Sequence, residues 1–195
     1  MDMWEPYIMS TCEHLPGGKD KIVFDKFHIV ANLNKAVDTV RKSEHRRLME
    51  QGDRRLIGTK YLWLKGTQRF DRDSWISFGE LRNSGLKTAR AWAIKETFGH
   101  FWGYVYLGAA RRFFGQWYSW AIRSRLEPIK RVARTLKKRL DNILTYLKHH
   151  ITNAATEGIN SKIQWVKQTA RGFANRDNFR VAIFFHCGSL ELYPH

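Results

Sequence analysis

Cysteine is nearly absent from this chain of 195 residues: Cys12 and Cys187 are the two that occur, too few for a disulfide framework or a four-cysteine zinc module. They could form one bridge or supply half a metal site, but in a basic chain with no export signal two free thiols are expected. Long apolar runs are missing as well. The longest nearly uncharged stretch, Phe101 to Ala110, is about half of the ~20 residues that a bilayer span needs. No charged segment followed by an apolar one opens the chain as a signal peptide would. These absences point to a cytoplasmic protein with no membrane partner. Acidic residues are the third scarcity, with 18 Asp and Glu against 34 Lys and Arg and a formal net charge of +16. Solubility does not require such a surplus, so a polyanionic partner is expected. Nucleic acid comes before anionic membrane, because each Lys or Arg on a phosphate releases condensed counterions.

What is present argues for a folded protein. A chain that is 43% hydrophobic and 14% aromatic is neither disordered, collagen-like nor low in complexity. Its length suits one domain with a real core, or one carrying a large insertion. Residues 6–14 read as a short helix and Pro16-Gly17-Gly18 as a turn. Lys21-Ile22-Val23-Phe24-Asp25 reads as a strand, with Ile22 and Phe24 on one side and Val23 and Asp25 on the other. From Phe27 to about Gln51 the apolar residues Ile29, Leu33, Ala36, Val37 and Val40 recur near 3.6, with Gly52 as the stop. Residues 52–84 read as loop plus one short helix. A helical, aromatic-rich stretch from Gly85 to about Arg123 is interrupted near Gly103 or Gly108. Leu126 to His149 reads as one long helix, on the spacing of Ile129, Val132, Leu136, Leu140, Ile143 and Leu147, with Pro128 in its first turn. Two last helices are expected from about Thr152 to Arg171 and from Asn175 to Phe185.

Between Arg111 and Arg139 ten Lys or Arg accompany a single acid, Glu127. Lys130, Arg134, Lys137 and Lys138 lie off the apolar stripe of the long helix, where a phosphate backbone could follow them. Arg123, Arg125, Lys162 and Arg171 extend the set of candidate DNA contacts. Trp102, Tyr104, Tyr106, Phe113, Phe114, Trp117, Tyr118 and Trp120 could stack unpaired bases, although aromatics at helical spacing ordinarily build core.

The carboxylates form the other constellation. Asp2 follows Met1, Asp25 stands in the segment Val23-Phe24-Asp25-Lys26-Phe27-His28, and Glu157 shares a polar helical face with Asn153, Asn160, Ser161 and Gln164. Behind that face Ile159, Ile163, Val166 and Ala170 line up for packing. Taken singly, a Glu on a polar face is ordinarily solvated and an Asp at a strand end ordinarily caps a turn. The four segments Val-Phe-Asp-Lys-Phe-His-Ile-Val at 23–30, Tyr-Ser-Trp-Ala-Ile-Arg-Ser-Arg-Leu-Glu-Pro-Ile at 118–129, Asn-Ala-Ala-Thr-Glu-Gly-Ile-Asn-Ser-Lys-Ile at 153–163 and Arg-Gly-Phe at 171–173, in this order, resemble DDE transposases of bacterial insertion sequences, of the ISL-three family.

The resemblance implies a mainly α chain: a partial RNase H-like α/β catalytic fold with one or two strands retained, and a large helical insertion. It implies a catalytic remnant over 1–30, a basic and aromatic-rich insertion over 31–150, and closing helices over 151–195. It further implies cleavage and joining of DNA at insertion-sequence ends with Mg²⁺ or Mn²⁺, whose hardness suits carboxylate oxygens. Asp2, Asp25 and Glu157 take the catalytic positions, Asp2 and Glu157 as metal ligands, and Asp25 with His28 as the Asp-x-x-His motif. His28 would orient a carboxylate or phosphate, or simply pack. Asp2 and Glu157 are then expected side by side, with Asp25 on the neighbouring strand. DNA would be the partner, homo-oligomers are compatible with the family, and the place of action would be the bacterial nucleoid. No room exists before Asp2 for the family's three opening strands and their Asp, so the chain is expected to be truncated, to hold metal weakly, to be impaired in cleavage, and to expose the 21–25 strand edge. An alternative makes Asp2 and Asp25 the first and second acids. A different class of reading is a non-catalytic, basic, helical DNA-binding protein.

Overall fold

The structure, a computed structural model, describes residues 5–18, 22–66, 70–149 and 154–188. The described residues are mainly helical, and no strand occurs among them. They divide into two compact units, residues 1–151 and 152–195.

In the first unit α1 (Glu5–His14) leads into a turn at Gly17, where φ is +66°, and then into a segment ending at Asp25. The expected strand over 21–25 is not found in the described part. Residues 22–25 instead thread into the core without regular pairing, with Ile22 and Phe24 both buried, so they present no open edge. The Asn142 side chain donates to the Ile22 carbonyl at 3.1 Å. α2 (Lys26–Glu50) follows with its apolar stripe intact: Ile29, Leu33, Ala36, Val37, Val40 and Leu48 are buried, and Gly52 closes it at φ +75°.

Residues 52–84 hold two helices where one was expected. α3 (Lys60–Leu64) is little more than a turn around buried Trp63, and α4 (Arg72–Asn83) is started by Asp71, whose carboxylate accepts from Ser74 N at 2.8 Å. Phe78 of α4 is wedged edge-on between Trp63 and Trp92, with ring centroids 4.9 and 4.8 Å away.

α5 (Lys87–Gly99) is the central helix, buried on nearly all sides and packed against α2, α3 and α4. A 3₁₀ turn (His100–Gly103) and an irregular link over 104–106 interrupt the aromatic stretch before α6 (Leu107–Arg123). Trp117 Nε1 donates to the Ile94 carbonyl at 2.9 Å, fastening α6 to α5.

The long helix expected over 126–149 is broken at Arg139 (φ −114°, ψ 15°) into α7 (Glu127–Lys138) and α8 (Leu140–His149). α7 packs on both α2 and α6, and α8 on α6, so the kink lets the second half leave α2. Ile129, Ala133, Leu136, Ile143, Leu144 and Leu147 are buried across the break. The apolar spacing runs through it unchanged.

The second unit contains α9 (Ala154–Thr169) and α10 (Arg176–Cys187), joined through Arg171 at φ +52° and Gly172 at φ +100°. Asn175 caps α10 by accepting from Asp177 N at 2.7 Å. Val166 is buried, whereas Ile159, expected on the packed face, is exposed, as are Trp165, Phe184 and Phe185.

Candidate nucleic-acid interface

The basic face is built on α6, the turn after it, and α7. Pro128 at the start of α7, Glu127 in its first turn, and Lys137 and Lys138 in its last suit both the backbone and the helix dipole. With Ile129, Ala133 and Leu136 turned inward, the cations face out. They are not all free. Glu127 accepts from Lys130 at 2.8 Å and from Arg134 at 2.9 Å, and these two bonds, Lys130's first, hold its carboxyl below the usual carboxylate range. Lys138 lies 3.5 Å from Glu5, which also binds Arg139. Arg111 pairs with Asp141 at 2.9 Å. The Lys137 ammonium sits 4.6 Å from the Tyr118 ring centroid. Arg112, Arg123, Arg125, Arg131 and Lys137 are exposed, and none has a carboxylate partner among the described residues. The ridge read from sequence is therefore partly neutralised at Lys130 and Arg134, and its open charge lies on both sides of them.

The aromatics divide. Phe114 and Trp117 are core, and Trp102, Tyr104, Phe113 and Tyr118 pack against it. Tyr106, 80% exposed beside Val105 at 81%, and Trp120 to a lesser degree, face solvent. For most of the set the packing role holds.

Of the carboxylates, Asp25 is the one whose surroundings are described. It is 7% exposed and caps α2, Oδ1 accepting from Phe27 N at 2.8 Å. Next to it Lys26 reaches over the Trp102 ring, 5.7 Å from its centroid, and half-buried His28 meets the Phe27 ring edge-on at 5.8 Å. Asp2 lies outside the described residues. Glu157 falls within α9, its side chain outside them. Lys162 and Arg171 are exposed on the second unit. Among the described residues no three of His, Cys, Asp and Glu gather as a metal site.

Three residues of the first unit escaped the sequence reading. Glu44 is buried and grips the start of α5, while Arg47 and Lys87 line one groove with Arg125. The local signals were spacings of three, Glu44 to Arg47 and Glu127 to Lys130.

A family model for transposases of the ISL3 DDE type matches residues 1–183. The chain is similar to the transposase for insertion sequence element IS1001 of Bordetella parapertussis, 27% identical over 186 residues, which are 94% of this chain and 45% of that protein. It thus spans less than half the length of that curated relative. No solved structure matches. On the family match across almost its whole length, the chain belongs to the ISL3 family of DDE transposases.

Proposed function

We propose that the chain acts on insertion-sequence DNA, holding the duplex by its phosphates on the α6–α7 face and contributing Asp2, Asp25 and Glu157 to cleavage and strand transfer. The observation that supports the DNA contact is the one-sided charge: five exposed cations between Arg112 and Lys137 without carboxylate partners among the described residues. Phosphate contacts of this kind position a duplex without reading its sequence.

The family supports the acids and the metal. Mg²⁺ or Mn²⁺, when bound, would polarise the phosphodiester and lower the pKa of the attacking hydroxyl. Within the described residues Asp25 caps the start of α2, three residues before His28 in its first turn. The exposed cations alone would equally serve a second reading, a DNA-binding protein without cleavage activity. Homo-oligomers and association with the nucleoid belong to the first reading as much as to the second.

The test is nicking by the full chain, with Mg²⁺, of a duplex carrying the terminal repeats that flank its coding sequence. Metal-dependent nicking that Asp25→Asn and Glu157→Gln each abolish supports the first reading. Binding without nicking supports the second.

A further inference from the structure

Beside the basic face a groove of about 320 Å³ opens between α2, the start of α5 and the turn joining α6 to α7. Three cations from three separate elements line it: Arg47, Lys87 and Arg125, with the Ser43 hydroxyl among them. Arg125 stands there at φ +59°, a left-handed conformation that side chains other than Gly and Asn rarely adopt. The turn is locked around it. Ser124 Oγ donates to the Ala121 carbonyl at 2.7 Å and accepts from Leu126 N at 3.2 Å.

Two carboxylates also line the groove, and both are already engaged. Glu44 accepts from Lys87 N at 2.8 Å and from Thr88 N and Oγ1 at 2.7 Å each, with Arg47 at 3.5 Å. Glu127 holds Lys130 and Arg134. The ammonium of Lys87 and the guanidinium of Arg125 have no carboxylate partner among the described residues. Since Glu44 occupies the first amides of α5, the groove can meet an anion through side chains alone. An Arg fork is suited to two oxygens of one phosphate.

We propose that this groove seats a phosphodiester group of the DNA backbone between Arg47, Lys87 and Arg125, as an anchor adjoining the α7 face. The inference rests on the reading of the chain as a DNA binder and adds residues to it from α2 and α5. A backbone phosphate fits better than a small acidic metabolite, because the groove is open to solvent and Arg125 in its lining belongs to the same run of exposed cations, with Arg123 and Arg131, that forms the basic face.

The experiment is fluorescence anisotropy of a labelled duplex of ~20 bp titrated with the full chain over a range of salt. A groove triple, Arg47→Gln, Lys87→Gln and Arg125→Gln, is compared with a remote triple of equal charge change, Lys60→Gln, Lys65→Gln and Arg72→Gln. The groove triple should lower the slope of log K against log salt by about 2 to 3, at ~0.9 for each cation removed from a phosphate, and the remote triple by less than about 1. Arg125→Gly should leave thermal stability equal or higher, since Gly relieves the left-handed backbone, while still reducing the slope by about 0.9. Equal slopes for the two triples, or wild-type binding by Arg125→Gly, would overturn the proposal. A wild-type chain that binds no duplex overturns the broader DNA reading, and is recognised because neither triple then has anything to weaken.

Discussion

The carboxylate of Glu44, 3% exposed, accepts both the backbone N–H and the hydroxyl of Thr88 at 2.7 Å, forty-four positions further along the chain. Leu86, at the N-cap position of α5, offers no side-chain cap, so a residue of α2 supplies from a distance what a neighbouring Ser or Asp usually supplies locally. Bonds to a buried carboxylate are worth about 1.5–3 kcal/mol each, and the loss of one partner strands the others. Glu44→Ala should therefore cost about 3 kcal/mol, and Thr88→Val about 1–2 kcal/mol. Thermal denaturation should show a midpoint falling by about 2–4 °C per kcal/mol in a chain of this size. In a double-mutant cycle the two losses should fall well short of adding.

This bond also marks where sequence reading ran out. α2 was legible because Ile29, Leu33, Ala36, Val37 and Val40 repeat at helical spacing and Gly52 stops them. The break at Arg139 was not, since Leu136, Leu140, Ile143 and Leu147 keep the same spacing through it. Lys-Ile-Val-Phe-Asp reads as strand by propensity, but strand and buried extended link differ only in a distant pairing partner. Between 52 and 84 one short helix was legible instead of two, because the Asp71 cap and the buried Phe78 of α4 lie among charges. At the candidate site the basic stretch and Asp25 were legible locally. The groove of Arg47, Lys87 and Arg125 exists only once three elements have packed.

Lys95 offers a pH test of the central helix. Its ammonium is buried at 7% exposure, donates to the Trp63 carbonyl at 2.9 Å and lies 2.7 Å from Glu96. Burial pushes its pKa down, against the pull of Glu96. The unfolded chain then binds the proton more tightly, so Lys95 contributes to a stability that rises with pH from the lowered value up to the ordinary one near 10.5. Lys95→Met should lie within about 1 kcal/mol of wild type at pH 7. Between pH 7 and 10 denaturant unfolding should move the comparison in favour of wild type. A gap independent of pH would contradict the assignment.

Glu127→Gln should strengthen binding to duplex DNA, because it releases Lys130 and Arg134 from the carboxylate that holds them. The slope of log K against log salt should steepen by up to about 0.9 for each cation that reaches a phosphate. Wild type should show the same gain as pH falls through the lowered Glu127 pKa, below the usual carboxylate range. Glu127's contribution to stability, present above that range, disappears in the same interval. Anisotropy titrations at two acid pH values compare the variant with wild type directly.

Asp25 can be split into its two roles. Asn caps helices as well as Asp does, whereas Ala costs about 1 kcal/mol. Asp25→Asn should accordingly keep the wild-type melting midpoint, and Asp25→Ala should lower it by about 2–4 °C. If the residue is also catalytic, the Asn variant loses metal-dependent nicking with its fold intact. An Asn variant that nicks normally would contradict a catalytic role for Asp25.

Binding of duplex DNA through phosphates is tested most directly by the salt dependence of the wild-type chain's affinity. With about six phosphate contacts the plot of log K against log salt should be linear with a slope near −5. The same protein should prefer DNA to anionic vesicles of equal charge. An affinity indifferent to ionic strength, or a preference for the vesicles, would contradict it.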